Sequence, residues 1–167
     1  MRAVSNTSPI SNLAAIGRLD LLKAQFGEVW IPEAVAEELR RNPFPAAAAA
    51  IQAAIREQWV RIEIARDSAL LRTLLAQLHC GEAEAIALAT ELKADLVLMD
   101  EREGRQLAAQ SGISVTGVLG ILLRAKRVGQ LVAIKPEIDA LRQKAHFFIA
   151  PGLEARVLAE SGESELA

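Results

Sequence analysis

Residues 5–9, SNTSP, set a neutral amide, Asn6, beside two hydroxyls, Thr7 and Ser8, and a proline. Carboxylates recur further along: Glu38 in AVAEEL, Glu82 and Glu84 in HCGEAEA, and Asp100 directly after LVLM. Oxygen groups of this kind suit a hard divalent cation such as Mg²⁺ or Mn²⁺, which serves phosphoryl chemistry by activating water and neutralising developing charge. Each acid also has an ordinary structural use. Asp100 can N-cap a helix starting at Glu101. Glu82 and Glu84 can complement a helix dipole, at about 0.3–1 kcal/mol each. Glu38 can pair with Arg41 at the surface. Neighbours on a helix point about 100° apart, so of Glu37 and Glu38 only one turns inward easily, and Glu38 is the candidate. Together, an acid from the second strand–helix unit, one or two from the start of a later helix, and one at the next strand end could meet on a single ion.

The elements that must position these groups follow from the apolar pattern. Ala3–Ser5 reads as a brief strand, and Pro9 suits the first turn of a helix, with Thr7 or Ser8 as its cap. Ile10, Leu13, Ala14 and Ile16 recur at helical spacing, and a second short helix runs from Leu19 to Phe26. EVWIP is a buried strand that leads into the helix EAVAEELRR. NPFPAAAAAIQAAIREQW supplies breakers and then an alanine-rich helix, expected to be a lid or an insertion between sheet elements. VRIEIA alternates as an edge or crossover strand would. After a helix over about 68–77, the order is helix (HCGEAEAIALATELKA), strand (DLVLMD), helix (EREGRQLAAQSG), strand (ISVTG) and helix (VLGILLRAKRVG). Continuous apolar strands in βα alternation imply a parallel sheet covered on both faces. Functional groups of such a sheet gather at the strands' carboxyl ends, near the point where strand order reverses. Asn6, Asp100, and Thr116 with Gly117 sit at such ends. Two amphipathic helices joined at about 148–152 follow, and ESELA should fray.

Composition narrows the alternatives. The 167 residues suit one domain, 1–167, with about 131–167 as a helical cover. No apolar run approaches the roughly 20 residues of a membrane span, and the start lacks a secretory signal, so a cytoplasmic protein with no membrane partner is expected. Cys80, the only cysteine, excludes an internal disulfide or a multi-cysteine metal site. Nineteen basic against twenty-one acidic side chains argue against a passive nucleic-acid coat while allowing a local basic rim.

VSNTSPISNLAAIGRLDLL, VWIPEAVAEEL, GEAEAIALATELKADLVLMDEREGRQLA and ISVTGVLGILLRAKRVG, in that order over about residues 2–145, resemble the PIN-domain proteins, in particular the prokaryotic branch called DUF3368. The resemblance implies a three-layer α/β/α domain with a central, mainly parallel sheet, and a nuclease using Mg²⁺ or Mn²⁺ to hydrolyse RNA. It also implies a toxin's role with an antitoxin protein as partner. The family's acidic positions fall on Asn6, Glu38, Glu84 (with Glu82 as the competing alignment) and Asp100. Glu101 corresponds to a loosely placed final acid, Thr7 and Ser8 to hydroxyls that shape the first turn, and Arg102 and Arg105 to basic residues that would meet substrate. Asn6 departs from the pattern, because family members generally carry Asp there. The amide keeps a carbonyl oxygen and loses the charge, which leaves two outcomes: a working site built on the remaining acids, or a retained fold with little activity.

Other features read as structural. Arg124, Lys126 and Arg127 end a helix whose dipole they complement. Trp30 and Trp59 adjoin strands and belong to a core or an interface, and His79 and Cys80 open a helix. His146, Phe147 and Phe148 could form an apolar patch for homo-oligomer formation.

Overall fold

The computed structural model describes residues 1–163; all of the ESELA end except Glu163 lies outside the described residues. Five strands, β1 (Ala3–Ser5), β2 (Val29–Pro32), β3 (Val60–Glu63), β4 (Leu96–Leu98) and β5 (Ser114–Thr116), pair in parallel in the order β3-β2-β1-β4-β5. Successive strand residues point to opposite faces. Ala3, Ile31 and Leu98 accordingly join one apolar cluster, and Val4, Trp30 and Met99 the other.

Handedness decides which helix covers which face. A right-handed crossover lies on one face when the chain steps one way along the sheet and on the other when it steps back. Between β1 and β3 the chain steps one way through α1 (Thr7–Ala15), α2 (Asp20–Phe26), α3 (Glu33–Arg40) and α4 (Pro45–Arg56), whose apolar residues share the cluster of Ala3. It then returns past β1 through α5 (Ala69–Leu75), α6 (Cys80–Glu91) and α7 (Arg102–Gln110), which pack with Val4 and Met99. After β5, α8 (Val118–Arg127), α9 (Lys135–Ala145) and α10 (Pro151–Glu160) come back to the first face. The result is the expected α/β/α sandwich, with its reversal of strand order between β1 and β4.

Ile10 and Leu13 of α1 and Leu122 of α8 are fully buried, each contributing about 1.5–3 kcal/mol relative to exposure. That burial docks α1 and α8 against the sheet and thereby holds the loops after β1 and β5. Helix α6 is buried on several sides through Ala83, Ala85, Ile86, Ala87, Leu88 and Ala89, small residues that let strands and helices approach it closely. The C-terminal cover is tied down by charge. Arg18 grips Glu137 of α9 at 2.7 Å, and Glu163 accepts the Ile134 and Lys135 N–H groups and pairs with Lys126 at 2.5 Å.

One expectation changes. The alanine-rich α4 is neither lid nor insertion: Ala47, Ile51 and Ala54 are buried, and the helix packs on α1 and α3 as part of the β2–β3 crossover. VRIEIA proves to be the edge strand, parallel to β2. Trp59 is buried, and the half-buried Trp30 lies beneath the Arg61 guanidinium at 4.7 Å. In the basic cluster, Lys126 and Arg127 pair with Glu163 and Glu160, and Arg124 stands over Phe26.

Candidate active site

The turn after β1 enters α1 with Asn6 as the N-cap residue, but without a capping bond from its side chain. Thr7 and Ser8 are already helical, so neither caps α1 as expected. All three side chains face outward from the turn to carboxylates. The Thr7 hydroxyl donates to Glu38 Oε2 at 2.5 Å. Ser8 donates to Glu101 Oε1, and the Asn6 amide nitrogen donates to Glu101 Oε2 at 2.6 Å. The hydroxyls thus hold acids in place, and the turn faces two of them, one on each side.

Asp100 occupies the end of β4, the strand beside β1. It does not cap the helix that follows it, because α7 starts at Arg102 with Glu101 as its N-cap residue. Its Oδ1 instead accepts the Val118 N–H at 3.0 Å, filling an orphan donor at the start of α8. Gly117 makes this approach feasible, since a Cβ there would collide with Asp100 Oδ1 and stand 3.0 Å from an Arg105 nitrogen. Arg105 is itself anchored by donating to the Met99 carbonyl at 2.9 Å. Burial pushes the Asp100 carboxyl up to about 6, helped by the negative charge of Glu101 and opposed by the Val118 N–H, Arg105 and Asn12.

Glu82 and Glu84 are separated by about 200° around α6 and serve different neighbours. Glu82 closes a capping box on the His79 N–H at 3.2 Å and lies beside Gly104 of α7. Its pKa is raised, chiefly by burial and then by Glu101 and Glu103. Glu84 accepts the Ala34 N–H at 3.1 Å, at the start of α3, and receives the Cys80 thiol at 3.4 Å. Burial and that bond push the Cys80 thiol up, consistent with an inert cysteine. Glu38 approaches α6 closely enough that a Cβ on Gly81 would stand 2.8 Å from its Oε1.

Among the described residues no three acidic, histidine or cysteine groups stand together as a metal site, so Glu38, Glu84 and Asp100 do not close on one point. Each carboxylate is drawn to a local donor on a different element. The structure instead joins Asn6 and Ser8 to Glu101, which sequence reasoning left outside the principal ligand set; its signal was its place directly after Asp100. Among the described residues three buried side-chain oxygens have no hydrogen-bond partner: Gln25 Oε1 on α2 and, at the ends of neighbouring strands, Asn6 Oδ1 and Asp100 Oδ2. Leaving such atoms dry costs about 1–3 kcal/mol each. Hard oxygens at the ends of neighbouring strands are donors that Mg²⁺ or Mn²⁺ accepts, so this pair fits a divalent ion. Arg102 is exposed on α7, and Arg105 lines the clefts on either side of Asp100.

Residues 2–163 match the family model DUF3368, described as a PIN domain. No curated protein matches. Among solved structures, a PilT N-terminus domain protein of the hyperthermophilic archaeon Sulfolobus solfataricus P2 is similar, with a TM-score of 0.56 and 17% identity. The match covers 75% of this chain and 93% of that one, which at such identity is a likeness of fold.

Proposed function

The chain belongs to the DUF3368 family of PIN domains, and from that premise we propose that it is a nuclease that hydrolyses RNA with a divalent cation. The observation that supports this most directly is the pair of unpartnered buried oxygens, Asn6 Oδ1 and Asp100 Oδ2, flanking the reversal of strand order. In this reading Asp100 and Asn6 would hold the ion, and Glu38 and Glu101 are the acids engaged by the same turn. A Mg²⁺ or Mn²⁺ ion held there would supply charge neutralisation at the phosphodiester and a more acidic water. The protein's own contribution is orientation. Thr7 fixes Glu38, Ser8 and Asn6 fix Glu101, and the Val118 N–H fixes Asp100, so that the acids need not reorganise when substrate arrives. Glu84 ties α6 to α3 and is a positioning residue, with Glu82 performing the same service toward α7. Arg105, anchored at the Met99 carbonyl, presents positive charge beside Asp100, where a phosphate would lie, and Arg102 extends that rim. An antitoxin protein that covers this edge is the regulatory partner the family reading implies.

Cleavage of single-stranded RNA across a Mn²⁺ series tests the reading: wild type should cut with a metal-dependent rate and Asp100→Ala should not. Equal rates in the two would overturn it. A second reading, a PIN-like module that binds RNA or protein without cutting, is favoured by one contact. The Asn6 amide engages Glu101, so that acid is already occupied. Asn6→Asp separates the two. Metal-dependent cleavage in the variant and none in wild type would identify the natural protein as the non-cutting form.

A further inference from the structure

A cleft of about 460 Å³ leads from Asp100 and Arg105 along α8 to the segment between α9 and α10, a size within the range of about 300–1,000 Å³ typical of small-ligand sites. Its floor is apolar, with Leu119 and Leu123. At its far end stands Phe148, 85% exposed. The neighbours of Phe148 explain why it stays there: Phe147 packs against the core and Ile149 is buried at 4%, so alternation along an extended segment drives the ring between them outward. A phenylalanine so exposed forgoes most of the roughly 1.5–3 kcal/mol its burial would contribute, while its backbone is anchored on both sides. It is a solvent-facing aromatic ring whose two chain neighbours are packed against the core.

The charges beside it match a nucleic acid. Arg105 and Arg156 line the cleft and pair with no carboxylate among the described residues, whereas Glu160, another lining residue, is engaged by Arg127. We propose that Phe148 is a base-stacking platform, and that the cleft between α8 and α10 takes an unpaired base of a single-stranded RNA whose neighbouring phosphate lies at Asp100. This rests on RNA being the substrate of the Asp100 site. The occupant follows from continuity, since Asp100 and Arg105 line both the cleft and the site, so a strand held at one passes the other. Base–aromatic stacking tolerates any sequence, so the platform sets the strand's register without reading its bases.

The test uses the full chain in an Asp100→Asn background with Mn²⁺, which silences cleavage, and fluorescence anisotropy of a labelled oligoadenylate and of its abasic counterpart. Adding Phe148→Ala should weaken oligoadenylate binding roughly 5- to 100-fold and leave abasic binding unchanged, and Phe148→Trp should restore the affinity. Circular dichroism melts of the two Phe148 variants should match that of the parent. Equal affinity with and without the ring, or an equal loss on the abasic strand, would overturn the proposal. So would an unchanged RNA affinity accompanied by conversion of a dimer to a monomer in sedimentation, which would make Phe148 a protein-contact residue. If wild type fails to cut any RNA while binding still depends on Phe148 and on the base, the catalytic reading falls and the stacking platform stands.

Discussion

Asp100→Asn should stabilise the metal-free protein at neutral and alkaline pH while abolishing activity. The folded carboxyl titrates at about 6 against an ordinary value of 3.8, a difference of about two units, or on the order of 3 kcal/mol at about 1.4 kcal/mol per unit. Well below pH 3.8 the group is neutral in both folded and unfolded chains and contributes nothing. As pH rises from about 4 to about 6 the unfolded chain sheds its proton first, and the folded state loses stability. Above pH 6 the full penalty is in place. Asparagine carries no such penalty and can still accept the Val118 N–H through its carbonyl oxygen, the bond that Asp100 makes at 3.0 Å. For a domain of this length, about 2–4 °C per kcal/mol places the variant's Tm roughly 6–12 °C above wild type at pH 8 in EDTA, with the gap closing near pH 4. Differential scanning calorimetry at several pH values measures it. Mn²⁺ should raise the Tm of wild type and leave that of the variant nearly unmoved, because only a ligand bound by the folded state stabilises it. A gap that is the same at every pH, or absent at pH 8, would refute the view that burial of an unpaired charge strains this site.

Gly81→Ala improves helix propensity by about 1 kcal/mol, but its methyl group would press on Glu38 Oε1 at 2.8 Å and on Val35 at 3.3 Å. Cleavage should fall about tenfold or more while urea stability stays within about 1 kcal/mol of wild type; an unchanged rate would remove Glu38 from the site. Glu137→Gln breaks the bidentate grip of Arg18 on α9 and should cost about 1–2 kcal/mol in urea unfolding. Cleavage at saturating Mn²⁺ should be unaffected, because that pair joins α9 to the α1–α2 junction, away from Asp100.

Much of the fold was legible because its central strands β2, β1 and β4 are short, mainly apolar runs bounded by Pro, Asn and Asp. LVLM before Asp100 and the short run before Asn6 marked strand ends, and α6, the helix that leads into LVLM, declared itself by its alanine-rich pattern. What periodicity cannot carry is the destination of a helix. Five alanines in a row form a helix whether it lies over the sheet as a lid or, as α4 does, fills the β2–β3 crossover, because the choice depends on packing against α1, which lies well before it in the chain, as well as on the adjacent α3. The role of Glu84 was hidden for a similar reason. Its partner, the Ala34 N–H, is fifty residues distant, and only the packing of α6 on α3 brings them together.

The amino-acid sequence by itself determined the βα alternation, the parallel sheet and the types of group at the strand ends, since hydrophobic period and local breakers are properties of neighbours along the chain. Tertiary structure alone decided the partnership of those groups. Right-handed crossovers set β1 beside β4 and β4 beside β5: the first adjacency sends the Asn6 amide to Glu101, the second sends Asp100 to the first N–H of α8, and the packing of α6 on α3 gives Glu84 the Ala34 N–H. One oxygen each of Asn6 and Asp100 is left without a partner. A hydrogen bond depends on distance in space, and these partners lie up to 95 residues apart in the chain.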